Sequence, residues 1–140
     1  KIPHRWEFRH DHIGYNYRMP NINAALGCAQ LENLDRYVAD KRETAACYAE
    51  FFKGKEDITF FTEPADCKSN YWLNAVVLKD KAAQLDFLEY TNDHGVMTRP
   101  VWELMNRLPM FEHCETDGLE NTEWLADRVV NIPSSVRLDK

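Results

Sequence analysis

The sequence predicts an α/β domain: a mixed sheet with helices on one face, preceded by a long leading helix. Three observations predict it. A stretch of helical period runs from Pro20 to about residue 52. Four short β-prone runs follow it. Two further helical stretches separate those runs.

Residues 1–19 are aromatic, basic and rich in histidine, without a period of 3.6 or 2, and read as an ordered loop. Pro20 suits a first helical turn and Asn21 is a capping type. Ile22, Ala25, Leu26, Ala29, Leu34, Val38 and Ala45 then fall at helical spacing, with Gly27 the one glycine between Pro20 and Gly54. One helix over about 20–52 is expected, bent near Gly27 or Ala39. The small residues Ala24, Ala25, Gly27 and Ala29 make part of it narrow enough for close packing against another element or subunit. Ile58–Phe61 is β-prone. Tyr71–Leu78 is the strongest strand signal, with Asn70, Trp72 and Asn74 expected on one face. Residues 82–93 form a helix that stops before Gly95. Val96–Arg99 is a strand ended by Pro100. Residues 101–118 mix short helix and loop, with Met105, Met110 and Phe111 as core. A helix over 119–128, with Trp124 and Leu125 inward, leads to a last strand at 129–132.

Composition narrows the function. Of 140 residues, 44% are hydrophobic and 29% charged, a balance suited to a folded globular domain. No apolar run reaches the roughly 20 residues that span a bilayer, and no signal peptide is visible. The net charge of −6 argues against nonspecific nucleic-acid binding, which needs a basic footprint. Cys28, Cys47, Cys67 and Cys114 are scattered, without a C-x-x-C pair, and read as reduced thiols of a cytoplasmic protein. No dinucleotide fingerprint, P-loop or nucleophile elbow is present. His10 and His12 lack the further ligands that zinc needs, so no metal site is expected.

Three segments could carry binding chemistry. In the first, Tyr15, Asn16, Tyr17 and Arg18 precede the helix start at Pro20. A guanidinium that can fork onto an anion, an amide donor and a helix N-terminus together suit a phosphate, or else make a structural loop. The second is Asn70, Trp72 and Asn74, either a pocket wall or a solvent-facing edge. The third is Arg99, with Trp102 beyond Pro100, at a strand end where a sugar could stack.

The run from Gly14 to Leu31 reads G-Y-N-Y-R-M-P-N-I-N-A-A-L-G-C-A-Q-L. It resembles the G-Y-N-x-R block of the DegT/DnrJ/EryC1/StrS aminotransferases. Tyr71–Asn74, Gly95–Trp102, Leu108–Phe111 and Asn131–Ser135 resemble later segments of the same family. The likeness covers nearly the whole chain. The opening Lys-Ile-Pro-His and the Arg99–Met105 wording look most like the bacillosamine and legionaminic acid branch.

That resemblance implies a fold-type I enzyme using pyridoxal 5'-phosphate. Such an enzyme moves an amino group, usually from glutamate, to a nucleotide-linked 4-keto-6-deoxy sugar for surface polysaccharide or glycan synthesis. It implies residues 1–19 as the end of the large cofactor-binding domain and 20–140 as the linking helix and small C-terminal domain. The Schiff-base lysine would lie upstream of Lys1, so this chain alone carries no catalytic residue and should be inactive. Asn16 and Arg18 match cofactor-binding positions, with Asn16 reaching the partner's phosphate in a cytoplasmic homodimer with shared active sites. Tyr15, Tyr17, Asn70, Trp72, Arg99 and Trp102 are implied at the substrate pocket. Some relatives carry a histidine in the segment matching Asn70–Trp72, and this chain has none there. The alternative is a non-catalytic regulatory or sugar-binding protein of the same fold.

Overall fold

The computed structural model describes residues 13–137. His10, His12 and the rest of residues 1–12 lie outside them. The chain divides into two compact units, Lys1–Leu34 and Asp35–Lys140.

The first unit holds helix α1, Asn21–Leu31, none of whose residues is buried. A second helix, α2, runs from Leu34 to Phe52. The single helix expected over 20–52 is therefore interrupted, at Glu32–Asn33 rather than at Gly27 or Ala39. The reason is the side chain of Asn33. Its Nδ2 donates to the Ala29 carbonyl at 2.9 Å, and its backbone N–H turns to Gln30 at 3.1 Å. Asparagine competes in this way with the helical ladder.

In the second unit, α2 is followed by β1 (Ile58–Phe60), β2 (Asn74–Leu78), α3 (Lys81–Asp93), β3 (Arg99–Pro100), α4 (Glu120–Ala126) and β4 (Val129–Ile132). Helix α3 begins where Asp80 Oδ1 accepts the Ala83 N–H at 2.8 Å. It ends at Gly95, φ 74°, where the Val96 N–H reaches back to the Thr91 carbonyl at 2.8 Å.

The sheet order is β1-β2-β4-β3, and every pairing is antiparallel. The α/β class stands, but the sheet is not mixed. β2, α3 and β3 follow one another as a parallel crossover would, yet β4 inserts between the two strands. Each neighbour then runs the opposite way.

Alternation along the strands separates the two faces. Val76 and Val130 pair and are fully buried; Leu78, Ile132 and Phe60 are nearly so. Ala45, Tyr48, Ala49 and Phe52 of α2, with Ala83, Phe87 and Leu88 of α3, pack on that same side. Each fully buried aliphatic side chain there contributes about 1.5–3 kcal/mol. Ala75, Val77, Val129 and Asn131, on the other face, are half-buried. No helix of the described residues is long and apolar enough to cross a membrane.

Two expected core groups lie at the surface. Met105, Met110 and Phe111 are exposed, with Met105 on the wall of an open groove of about 860 Å³ between Glu103 and Thr122. Trp124 and Leu125 also face outward, Trp124 carrying the Arg128 guanidinium 4.5 Å above its ring. Helix α4 has only the seven residues Glu120–Ala126, none of them buried.

Candidate functional site

In the first unit, Ile13–Pro20 has no regular secondary structure and is exposed throughout. Asn16 Oδ1 accepts two hydrogen bonds from Arg18, from its backbone N–H at 3.1 Å and from Nε at 3.0 Å. That pairing fixes the direction of both groups. The Asn16 amide nitrogen and the far nitrogens of Arg18 make no hydrogen bond with any other described residue. Tyr15 and Tyr17 lie beside them, with ring centroids 6.1 Å apart. The residue capping α1 is Pro20 rather than Asn21, and no side chain caps the helix. Its first N–H groups therefore carry the positive end of the helix dipole without a side-chain acceptor. An amide donor, a guanidinium and a helix N-terminus suit a phosphate group.

In the second unit, a shallow cleft of about 300 Å³ opens beside β4. Trp72, Leu73, Met97, Arg99, Asn131, Ser134 and Lys41 line it. Two of the expected pocket residues, Trp72 and Arg99, thus meet. Arg99 pairs with Asn131 across β3 and β4. Lys41 was not legible as a pocket residue; it comes from α2 and donates to the Ser134 carbonyl.

The other expected pocket residues lie elsewhere. Trp102 is 82% exposed and does not line the cleft. The expected common face of Asn70, Trp72 and Asn74 does not form, because β2 begins only at Asn74. Tyr71 is left-handed at φ 46°, which ends the strand alternation. Asn70 Oδ1 accepts the Trp72 N–H at 3.0 Å, so it holds Trp72's backbone. Asn74 is buried and bound to Ser134 Oγ through its backbone N–H at 2.7 Å.

The loop before Trp72 carries an ion pair that sequence reasoning missed. Arg42 Nη1 and Nη2 donate to the two oxygens of Glu63 at 3.0 and 2.6 Å, and Nη1 also reaches the Ser69 carbonyl at 2.6 Å. Glu63 accepts the Ser69 N–H as well. The hydrogen bonds from Arg42 first, then the one from Ser69, hold the Glu63 carboxyl down at about 2. The Arg42 guanidinium is raised in turn, chiefly by its hydrogen bond with Glu63. Among the described residues no cluster of three or more His, Cys, Asp or Glu is placed to hold a metal ion.

The sequence model of the DegT/DnrJ/EryC1/StrS aminotransferases matches residues 3–140. The chain belongs to that family. Among its relatives, GDP-perosamine synthase of Escherichia coli O157:H7 is 32% identical over 130 residues, covering 91% of this chain and 34% of the enzyme. The GDP-perosamine synthase of Vibrio cholerae is 30% identical over 128 residues, 89% of this chain and 35% of that enzyme. The chain thus spans about a third of the length of the curated relatives it matches. Helicobacter pylori PseC, an aminotransferase of pseudoaminic acid biosynthesis, superposes with a TM-score of 0.84 at 21% identity, over 98% of this chain and 38% of PseC. That likeness shows the shared fold-type I architecture of the family's C-terminal portion.

Proposed function

We propose that this member of the family is the C-terminal part of a pyridoxal phosphate-dependent aminotransferase. The whole enzyme moves an amino group, from glutamate, to a nucleotide-linked 4-keto-6-deoxy sugar. It works as a cytoplasmic homodimer with shared active sites, and residues 1–19 close its large domain. The observation that carries this is the pairing of Asn16 with Arg18 at the uncapped start of α1. Arg18 occupies Oδ1 of Asn16, and the amide nitrogen is left as the donor. Asn16 and Arg18 would hold the cofactor's phosphate, a charge-assisted contact of about 1.5–3 kcal/mol for each good hydrogen bond.

Bound pyridoxal phosphate supplies the electron sink for the amino transfer. This chain's residues bind and orient. Trp72 offers an apolar ring against a sugar face, and Arg99 and Lys41 offer cationic donors in the same cleft. Asn70 acts there by holding the backbone of Trp72; Tyr15 and Tyr17 of the first unit, and Trp102 outside the cleft, are proposed as separate substrate contacts. Homodimer formation is supported by α1, whose Ile22, Leu26 and Leu31 stay exposed. Within the family, the bacillosamine and legionaminic acid branch is our placement.

The test is an assay of the complete protein with glutamate and a panel of UDP- and GDP-linked 4-keto-6-deoxy sugars. Amination of one of them supports the proposal. No transfer to any, with no lysine upstream of Lys1 that borohydride fixes to the cofactor, leaves a regulatory or sugar-binding protein of the same fold.

A further inference from the structure

Tyr71 and Leu119 are the two described non-glycine residues with positive φ, and Tyr71 is the bulkier. A side chain with a Cβ is strained there, and the conformation persists only when its surroundings over-determine it. Around Tyr71 they do. Its N–H donates to Ser69 Oγ at 2.9 Å, and its hydroxyl accepts the Glu63 N–H at 3.2 Å. Its ring stacks on Phe60 with centroids 6.4 Å apart, and the Arg42 guanidinium lies 5.6 Å from the ring centre. Arg42 at the same time clamps Glu63 and the Ser69 carbonyl. The loop, the ring and α2 are thereby one hydrogen-bonded assembly.

What this achieves is visible at the next residue. Asn74, Val76 and Leu78 alternate onto the buried face of β2. Continued toward the N-terminus, that alternation would send Trp72 to the same buried face. The left-handed turn at Tyr71 breaks it, so Tyr71 packs against the core and Trp72, 66% exposed, lies in the cleft with Arg99. We infer that Tyr71, locked left-handed by the Arg42–Glu63 clamp, is a positioning residue that aims Trp72 into the cleft. The inference rests on the proposal that this cleft takes the nucleotide sugar.

The test replaces tryptophan by fluorotryptophan in the full-length protein and follows fluorine NMR, with Trp72 assigned from Trp72→Phe. In Glu63→Gln and in the milder Tyr71→Phe, which removes only the hydroxyl, the Trp72 resonance moves or broadens while that of Trp124 stays. A purely stabilising clamp would lower the melting temperature and leave the Trp72 signal in place; that result, in either variant that folds, overturns the inference. The same variants raise KM for the sugar nucleotide several-fold without changing KM for glutamate. A moved Trp72 signal with an unchanged sugar KM keeps the positioning role and overturns the assignment of the cleft.

Discussion

The side-chain amide nitrogen of Gln84 donates to two backbone carbonyls, those of Ala126 and Val129, each at 2.9 Å. Gln84 is fully buried, and its Oε1 accepts from Lys81 Nζ at 2.7 Å. One polar side chain of α3 thus ties down the junction between α4 and β4, the strand that fills the middle of the sheet. Gln84→Leu keeps the approximate volume and strands both carbonyls. We expect it to lower stability by about 1–3 kcal/mol, read as a lower urea midpoint with little change in slope. An unchanged midpoint would mean that water satisfies the carbonyls instead.

Glu63 predicts a pH dependence. Its carboxyl sits at about 2, against an ordinary value of 4.5, because Arg42 and the Ser69 N–H favour the ionised form. A depressed carboxyl contributes stability that is fully present above 4.5 and is lost as the pH falls from 4.5 toward 2. Glu63→Gln should flatten that part of the acid unfolding curve. Acid curves of wild type and variant with the same slope over this window would show that the pairing adds no linkage.

Ser134 predicts a local effect. Its Oγ accepts from the Asn74 backbone N–H at 2.7 Å and from Nδ2 at 3.3 Å, and donates to the Ile132 carbonyl at 2.8 Å. Asn74 Oδ1 beside it is buried without a partner among the described residues. Ser134→Ala leaves further buried groups unpaired, at a cost of about 1–3 kcal/mol. Hydrogen exchange at the Asn74 amide should accelerate markedly more than at Val130; equal acceleration at both would point to global destabilisation alone.

Elements with local signals were legible in the sequence. The extent of α3 was readable from its period together with the stop at Gly95, and β4 from the apolar run Val129–Ile132 before Pro133. The break at Glu32–Asn33 was hidden because a single asparagine side chain competes with a ladder that the surrounding period favours. The antiparallel sheet was hidden because the insertion of β4 is a long-range event. The site divides in the same way. Asn16 and Arg18 sit two apart and could be read together, whereas Arg42 and Glu63 are separated by 21 residues and no period joins them. The common face of Asn70, Trp72 and Asn74 was misread because a left-handed tyrosine is not visible in a β-prone run.

The claim most exposed to test is that Asn16 grips the cofactor's phosphate. Full-length wild type and Asn16→Ala should be loaded with pyridoxal phosphate, dialysed and followed by cofactor absorbance against free concentration. Loss of one charge-assisted hydrogen bond of about 1.5–3 kcal/mol predicts cofactor affinity roughly 10- to 150-fold weaker in the variant. Equal retention by the two proteins would contradict the account and remove the loop before α1 from the cofactor site.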